Sequence, residues 1–436
     1  MSYREVLTKD VVRWGAVAIG ARMPVAAAPL AVVFLVRERP GGYALGAVLA
    51  AVYVVGEIIG APLLGVRLRA ERARPQLAVG LGIGALAFAG LGALSQAHPV
   101  VLGFLAFVAG AAPAAATGGL RALLNSVVPE KAAAQALSVE SMLTFGIWAV
   151  SPAAVTGLAI GLSPVLPPLL CAALMASSVA GLWMLPVGWR SDAGDRDGEP
   201  MARILVRAWP VYVTGAASLS MLALAELVLP ALLEQRGMAV GWAGPLLAGL
   251  AIGSAVGSFV YGLRTWPGRL RTQSTVLMLL VTGCLALVAL MPSLVLLFAV
   301  LGVAGCAQAG AMLTRNLALR EILPPSALAA GYSIMYAAVG AGYAASGSLA
   351  GALLSVAAPS TAILAGVGLG VVLLVVGVLG EVRPAPSVPG AGSSAGGSSA
   401  SGSSVDGSSA SGSSAGVADV AERTAVRGGG DAERGL

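Results

Sequence analysis

The amino-acid sequence predicts an all-α polytopic membrane protein, with twelve transmembrane helices in two pseudo-symmetric six-helix bundles. Composition is the first indication. The 436 residues are 57% hydrophobic and 11% charged, with a mean hydropathy of +0.88, whereas a soluble domain carries about 25% charged residues. The second indication is that apolar windows of about 20 residues recur along the chain, each long enough to cross a hydrocarbon core as a helix. An internal repeat is the third.

The apolar windows divide six and six around a polar central segment. They lie near residues 14–36, 43–66, 76–95, 99–120, 138–160, 165–186, 208–232, 242–263, 273–292, 294–314, 327–350 and 359–380. This division predicts an N-terminal six-helix bundle over 1–186, a cytoplasmic central loop over 187–207 and a C-terminal six-helix bundle over 208–382. The remaining residues, 383–436, are Gly/Ser-rich and too polar to bury a core, which predicts a disordered cytoplasmic tail.

Lysine and arginine placement predicts the orientation. With the N-terminus inside, the cytoplasmic loops before the tail hold eighteen of these residues, and the outside loops hold three, Arg37, Arg39 and Arg236. An even number of spans then places both termini in the cytoplasm, and we expect a monomer in the cell membrane. The net charge of +6 therefore reflects membrane topology, and no accessible basic surface indicates nucleic-acid binding.

The two halves contain a repeated segment. "GEIIGAPLLGVRLRAERARPQ" (56–76) and "GSAVGSFVYGLRTWPGRLRTQ" (253–273) align without gaps at the ends of windows 2 and 8. Gly56, Gly60, Gly65, Arg67, Arg72, Arg74 and Gln76 match Gly253, Gly257, Gly262, Arg264, Arg269, Arg271 and Gln273, each 197 positions further on. Such a duplication is typical of transporters whose substrate site lies between the halves, near the bilayer midplane.

The twelve spans, their division and the glycine-then-basic loops resemble the major facilitator superfamily. In the family's loop motif between spans 2 and 3, a glycine is followed by Asp-Arg and a Gly-Arg-Arg segment. Gly65 and Arg74 fit that motif, but Arg69 takes the aspartate position, Arg72 the glycine position, and Glu71 supplies a displaced carboxylate. The resemblance implies conformational loops at Gly65, Arg67, Arg72 and Arg74 and at Gly262, Arg264, Arg269 and Arg271.

Two shorter stretches refine this resemblance. "GIWAVSPAAVTG" (146–157) keeps part of the span 5 motif of drug antiporters, with Ser151 where a glycine precedes Pro152. "ARMP" in span 1 and "GEIIGAPLLG" in span 2 are similar to actinobacterial efflux-type members. Pro24 and Pro152 fall within spans, where the missing N–H predicts helix kinks.

One pair of opposite charges is expected inside the membrane. Arg22 and Glu57 lie about nine residues from the cytoplasmic ends of spans 1 and 2, hence both roughly 13 Å deep. An isolated arginine at a helix centre is unfavourable by about 2.5–3.5 kcal/mol, so we predict an ion pair. Two roles stay open: a static clamp between the helices, or a pair that proton or substrate binding at Glu57 breaks.

Two further glutamates are candidates for proton coupling. Glu226 in span 7 has no arginine nearby on its own helix. Because burial disfavours the charged form of a carboxyl group, Glu226 is a candidate to load and release a proton. Its alternative is a position wetted by the external vestibule. Glu140 lies near the inner end of span 5, where we expect it at the membrane interface.

The remaining inventory excludes several classes of protein. The chain has one histidine and three cysteines, all three within spans, and it has no Walker-type phosphate-binding motif. We therefore expect no catalytic set, no metal site and no cofactor, and the protein is not predicted to be an enzyme. The interpretation is a secondary transporter working by alternating access in the lipid bilayer, exporting amphipathic small molecules in exchange for protons. An uptake permease for a small metabolite and a non-transporting membrane sensor or scaffold are the alternatives.

Overall fold

The computed structural model describes residue 6 and residues 8–39, 42–185, 199–264, 266–354 and 356–382. In this part of the chain, twelve helical spans are long and apolar enough to cross a membrane, as predicted. Spans 1 to 6 consist of Lys9–Val36, Gly42–Gly65, Ala73–Ala93, Pro99–Ala111 with Ala115–Val127, Ala133–Gly161 and Leu166–Gly181. Spans 7 to 12 consist of Trp209–Gln235, Ala243–Leu263, Leu270–Leu290, Leu294–Ile322, Leu328–Leu354 and Pro359–Val382.

Several boundaries differ from those predicted. Span 4 is two helices separated at 112–114, because Pro113 cannot continue the backbone ladder. Spans 4 and 10 end seven and eight residues later than predicted, so Arg121 and Arg315 lie inside helices. A short helix, Met201–Arg207, occupies the end of the predicted central loop. The predicted tail, 383–436, lies outside the described residues.

The same helix pairs pack in the N-terminal half (spans 1–6) and in the C-terminal half (spans 7–12). Spans 1 and 6, 3 and 6, 2 and 4, 3 and 4, and 1 and 5 are neighbours in the first half. Spans 7 and 12, 9 and 12, 8 and 10, 9 and 10, and 7 and 11 are neighbours in the second. The two halves therefore share one arrangement of six helices, as the repeat predicts.

The repeated glycines hold equivalent helices together. A Cβ on Gly56 or Gly60 would overlap the backbone of span 4, at Phe107 and Ala111. Gly253 and Gly257 meet the backbone of span 10 in the same way, at Gly302 and Cys306. Only glycine permits this distance between helices, which explains why these four residues recur at one spacing.

The repeated glutamines fix equivalent loops. Gln76 donates from Nε2 to the carbonyl oxygen of Arg67 over 3.0 Å and accepts from the N–H of Arg69 over 2.8 Å. Gln273 donates to the carbonyl oxygens of Trp266, Pro267 and Gly268 over 3.1–3.3 Å. Each side chain satisfies backbone groups that have left the preceding helix, so it sets the path of its loop.

The halves meet through spans 5 and 8, through spans 2 and 11 and through spans 4 and 11. Several of these contacts lie at the end of the bundle where span 2 ends and span 3 begins, hereafter the arginine-rich end. There, Leu137 of span 5 is buried against Tyr261 of span 8 and Leu313 of span 10. Ser138, fully buried, donates a hydrogen bond to the carbonyl oxygen of Ser258 in the other half. The helix ends are thus packed together on this side.

Candidate functional site

A buried carboxylate lies between two arginines at the arginine-rich end. Glu140 of span 5 is fully buried, and its Oε1 is 2.5 Å from Nη2 of Arg22 in span 1. Arg121 of span 4 donates from Nε to both carboxylate oxygens over 2.8 Å. Two guanidiniums face one carboxylate, so this cluster of Arg22, Arg121 and Glu140 (the N-terminal charge cluster) keeps one formal positive charge.

The surrounding side chains hold Arg22 in place. Its Nη1 donates to the hydroxyl of Thr144, one turn beyond Glu140, over 3.1 Å. Its guanidinium also lies over the ring of Trp14, 5.6 Å from the centroid, where the aromatic face attracts a cation. Trp14 is itself fixed by a 2.7 Å hydrogen bond to the carbonyl oxygen of Leu120. The charge is therefore paired inside the protein and does not face lipid.

This geometry corrects one prediction. The Arg22–Glu57 ion pair is wrong, because the carboxylate that binds Arg22 is Glu140, four spans further along the chain. The side chain of Glu140 is completely buried in protein contacts, and its placement at the membrane interface stays a prediction. Helix neighbours explain the difference: span 1 packs against span 5 as well as span 2, and span 5 brings a carboxylate to the guanidinium.

The N-terminal charge cluster is connected to the opposite half. Arg121 donates from Nη1 to Oδ1 of Asn316 in span 10 over 3.0 Å, and its guanidinium lies 5.2 Å from the ring centroid of Tyr332 in span 11. The Tyr332 hydroxyl accepts from Nδ2 of Asn125 over 3.1 Å. Asn316 and Tyr332 are buried. Charge-assisted and aromatic contacts therefore join the two halves next to Glu140.

Glu57 occupies a different position between the halves. Its carboxylate accepts hydrogen bonds from the hydroxyl of Tyr53, one turn earlier on span 2, and from the hydroxyl of Tyr336 on span 11. The two distances are 3.2 and 3.3 Å. Glu57 is partly buried, and its partners are tyrosine hydroxyls from each side of the interface. This carboxylate is thus coupled to the contact between spans 2 and 11.

Glu226 lies in span 7, two-thirds of the way along the helix from the arginine-rich end. Its side chain is partly exposed, and Tyr343 of span 11 is within electrostatic range. Glu226 and Glu57 lie in different halves, and no chain of hydrogen bonds between described residues joins them. The proton-coupling role of each remains a prediction.

A second cluster, in the C-terminal half, was missed by the sequence analysis. Glu381 of span 12 accepts from Nη1 of Arg315 in span 10 and lies 3.5 Å from Nε of Arg271 in span 9. Arg315 is almost completely buried and also donates to the hydroxyl of Thr214. As in the first half, a carboxylate lies between two arginines, one of them on the fourth helix of its half. Glu381 follows the predicted end of its span by one residue, so it was not predicted to lie inside the membrane.

The predicted conformational loops are at the arginine-rich end. Gly65 is buried against Ser333 of span 11, where an added Cβ would overlap the serine side chain. Within the described part of the first loop, Arg67, Arg69 and Arg72 are exposed and Arg74 is partly buried. In the equivalent loop Gly262 is buried, Arg264 and Arg269 are exposed, and Arg271 donates to the carbonyl oxygen of Val378. Pro24 and Pro152 lie inside continuous helices.

Comparisons with known proteins concern the fold. No protein-family model matches the sequence, and no curated protein matches it either. Among solved structures, a bacterial homologue of the iron transporter ferroportin in its outward-facing state is similar, with a TM-score of 0.69 and 14% identity over 86% of this chain and 100% of that one. The human organic anion transporter MFSD10 is similar with a TM-score of 0.65 and 15% identity, over 86% of this chain and 100% of that one. The Escherichia coli fucose:proton symporter has a TM-score of 0.69 and 11% identity, over 86% of this chain and 99% of that one.

The class of protein follows from the helices and these likenesses. Within the described ranges, twelve helices long and apolar enough to cross a membrane lie in two similar halves, as in a multi-pass membrane protein. Its fold is that of the major facilitator transporters.

Proposed function

We propose that the protein is a secondary transporter that works by alternating access and exports amphipathic small molecules in exchange for protons. The arginine-rich end faces the cytoplasm, together with both termini, and the membrane is the cell membrane. The excess of arginine and lysine on that side supports the orientation. The likeness of spans 1 and 2 to actinobacterial efflux-type sequences favours export.

The position of Glu57 carries this proposal. A carboxylate bound by hydroxyls of Tyr53 and Tyr336, one from each half, changes its hydrogen bonds when it takes up a proton. A protonated carboxyl group becomes a donor as well as an acceptor, so the tyrosine hydroxyls must reorient around it. Because Tyr336 belongs to the other half, protonation of Glu57 alters the free energy of contact between spans 2 and 11.

The N-terminal charge cluster has a different role in this mechanism. Arg22 and Glu140 belong to one half and stay together, since separating a buried pair is strongly unfavourable. Arg121 also reaches Asn316 in the other half, so it closes the cytoplasmic side when the halves approach there. Opening that side breaks the bond to Asn316 and leaves Glu140 bound to both arginines.

The charged side chains at the interface between the halves are best suited to amphipathic substrates. The arginines of the two clusters are bound to carboxylates, whereas Glu57 accepts from tyrosine hydroxyls and Glu226 lies within electrostatic range of Tyr343. Two carboxylates that no arginine of the described residues pairs favour neutral or cationic amphiphiles over anions.

The test is a flux assay in proteoliposomes with an imposed pH gradient, run across lipophilic cations and small metabolites. Active transport of a lipophilic cation against protons is expected from the unmodified protein. Glu57→Gln and Glu226→Gln should each abolish gradient-driven flux and spare substrate exchange, because exchange needs no proton release. Glu234→Gln, an exposed position at the end of span 7, is the matched control and should behave as the unmodified protein.

Three results would contradict parts of the proposal. Accumulation in the opposite direction would make the protein an uptake permease. Absence of flux for every compound, in protein that is folded, would favour a sensor or scaffold. Gradient-driven flux that survives both glutamine variants would remove these carboxylates from coupling.

A further inference from the structure

We propose that an anionic phospholipid binds at the arginine-rich end, where a polar cavity joins an apolar groove. The polar cavity has a volume of about 640 Å³ and is lined by the loop after span 2, including Arg67, Arg69 and Arg72. Met201 of the short helix before span 7 and Ser326 of the C-terminal half complete its lining. The site is separate from the charge clusters and from Glu57, and the inference does not depend on transport.

The apolar groove adjoins the polar cavity. It has a volume of about 760 Å³ between spans 2, 3 and 4, and it shares Arg67, Arg72 and Gln76 with the polar cavity. Ile59, Leu63, Val79 and Ile83 line it, and these side chains are 43–61% exposed on the surface of a membrane-spanning region. The break in span 4 contributes Ala112 and Pro113 to its wall. The groove is therefore open to lipid along its length.

The combined shape matches one kind of molecule. The groove runs from the turn at Arg67 along the last part of span 2 to Ile59, about 12 Å at the rise of a helix, which accommodates the upper part of an acyl chain. Three arginines at its mouth, against the single carboxylate of Glu71, give the polar cavity a net positive lining that attracts a phosphodiester. The groove alone accepts any lipid, whereas the arginines select an anionic one.

Two details of the polar cavity favour a bound phosphate group. Gln76 fixes the loop backbone through Arg67 and Arg69, so the positions from which their side chains extend are set before a ligand arrives. The hydroxyl of Ser326 is buried and has no hydrogen-bond partner among the described residues. A buried hydroxyl without a partner is unfavourable, and a phosphate oxygen in this cavity would accept its proton.

A lipid at this position links the two halves. Ser326 belongs to the segment before span 11, while the arginines follow span 2. A headgroup that binds both therefore favours the arrangement in which the arginine-rich end is closed. An anionic lipid in this leaflet is expected to shift the protein toward that arrangement.

The experiment measures retained lipid by native mass spectrometry of the full-length protein in detergent. Phosphatidylglycerol and phosphatidylcholine with the same acyl chains are offered at equal concentration, and glycerol 3-phosphate is tested as a competitor. We expect phosphatidylglycerol to be preferred about tenfold, since each arginine near an anionic lipid adds to the attraction. Glycerol 3-phosphate should not displace it, because the groove contributes through the acyl chain.

Matched variants locate the binding. The double variant R67Q/R69Q should lose the preference, and R264Q/R269Q should keep it. The second variant removes equal charge from the equivalent loop, whose residues line neither cavity. All four arginines are exposed, so both variants are expected to fold. Equal loss in both variants, no preference in the unmodified protein, or displacement by glycerol 3-phosphate would each overturn the proposal.

Discussion

Arg39 and Arg236 are equivalent residues of the two halves, 197 positions apart, and each binds the carbonyl oxygens where the third helix of its half ends. Arg39 donates to the carbonyl oxygens of Ser95, Gln96 and Ala97 over 3.0–3.4 Å. Arg236 donates to those of Val288, Ala289 and Met291. Arg236 binds carbonyl groups of the last helical turn, which the helix itself leaves without partners, whereas Arg39 binds those of the turn just after the helix; in both places a cation complements the helix dipole. Two of the three arginines on the predicted outer side are thus structural.

Replacing Arg236 by glutamine should destabilise the C-terminal half. The change removes charge-assisted hydrogen bonds to three carbonyl groups, and the expected loss is about 2 kcal/mol of the free energy of unfolding. The apparent melting temperature in detergent measures it. Arg37→Gln is the control, because Arg37 forms an ion pair with its exposed neighbour Glu38, which contributes little. Equal melting temperatures for the two variants would contradict the capping role.

Replacing Gly257 by alanine should separate spans 8 and 10. The new methyl group would overlap the backbone of Cys306, which cannot move without shifting the whole helix. Overpacking of this kind costs about 1–3 kcal/mol. Gly283→Ala on span 9 is the matched control, since its Cβ has open space and alanine is the better helix former. A melting temperature for Gly257→Ala at or above that of the control would argue against close packing here.

Replacing Glu140 by glutamine should be far more damaging than replacing either arginine partner alone. The variant leaves the buried guanidinium of Arg22 and the partly buried one of Arg121 without their anion, and breaking a buried pair costs about 3–5 kcal/mol. Arg22→Met should lose less, because Glu140 keeps its two hydrogen bonds from Arg121. Thermal unfolding of the two variants side by side checks the order. The reverse order would mean that Glu140 is not the centre of the cluster.

Replacing Gly118 by valine should prevent closure of the arginine-rich end. The nearest atoms to an added Cβ belong to Ala329 and Ser333 of the opposite half, so the clash exists only while the halves are in contact. A cysteine introduced by Ser138→Cys, after the three native cysteines are replaced, should react several-fold faster with a thiol reagent in this variant. Gly146→Val, whose Cβ meets open space, is the control. Unchanged labelling would show that the halves tolerate the extra volume.

The fold could be predicted because membrane spans and repeats are local properties of a sequence. Pro292 and Ser293 were sufficient to separate spans 9 and 10, and the structure has a break at 291–293. The alignment of Gln76 with Gln273 is confirmed by their equivalent hydrogen bonds to the loop backbone. These features depend on hydropathy, turn residues and spacing, which a single sequence contains.

The partners of the charged residues could not be predicted in the same way. Counting residues from the predicted span ends gives Arg22 and Glu57 the same depth in the membrane. The count does not specify which helix faces the guanidinium of Arg22. Span 5 supplies that face, so Glu140 binds Arg22 and Glu57 turns toward Tyr336 in the other half. Contacts between residues more than a hundred positions apart depend on helix order around the bundle, which no local pattern specifies.

The separation of bonds into those within a half and those between halves has a mechanical consequence. The contacts of the four repeated glycines (Gly56, Gly60, Gly253 and Gly257), the glutamine-fixed loops and the bonds from Glu140 to Arg22 and Arg121 all stay inside one half. Across the gap, Arg121 and Asn125 bind groups that water could replace once they part. Each half can therefore move as a rigid body. The motion requires a few hydrogen bonds between the halves to be exchanged for bonds to water, and no helix has to unfold.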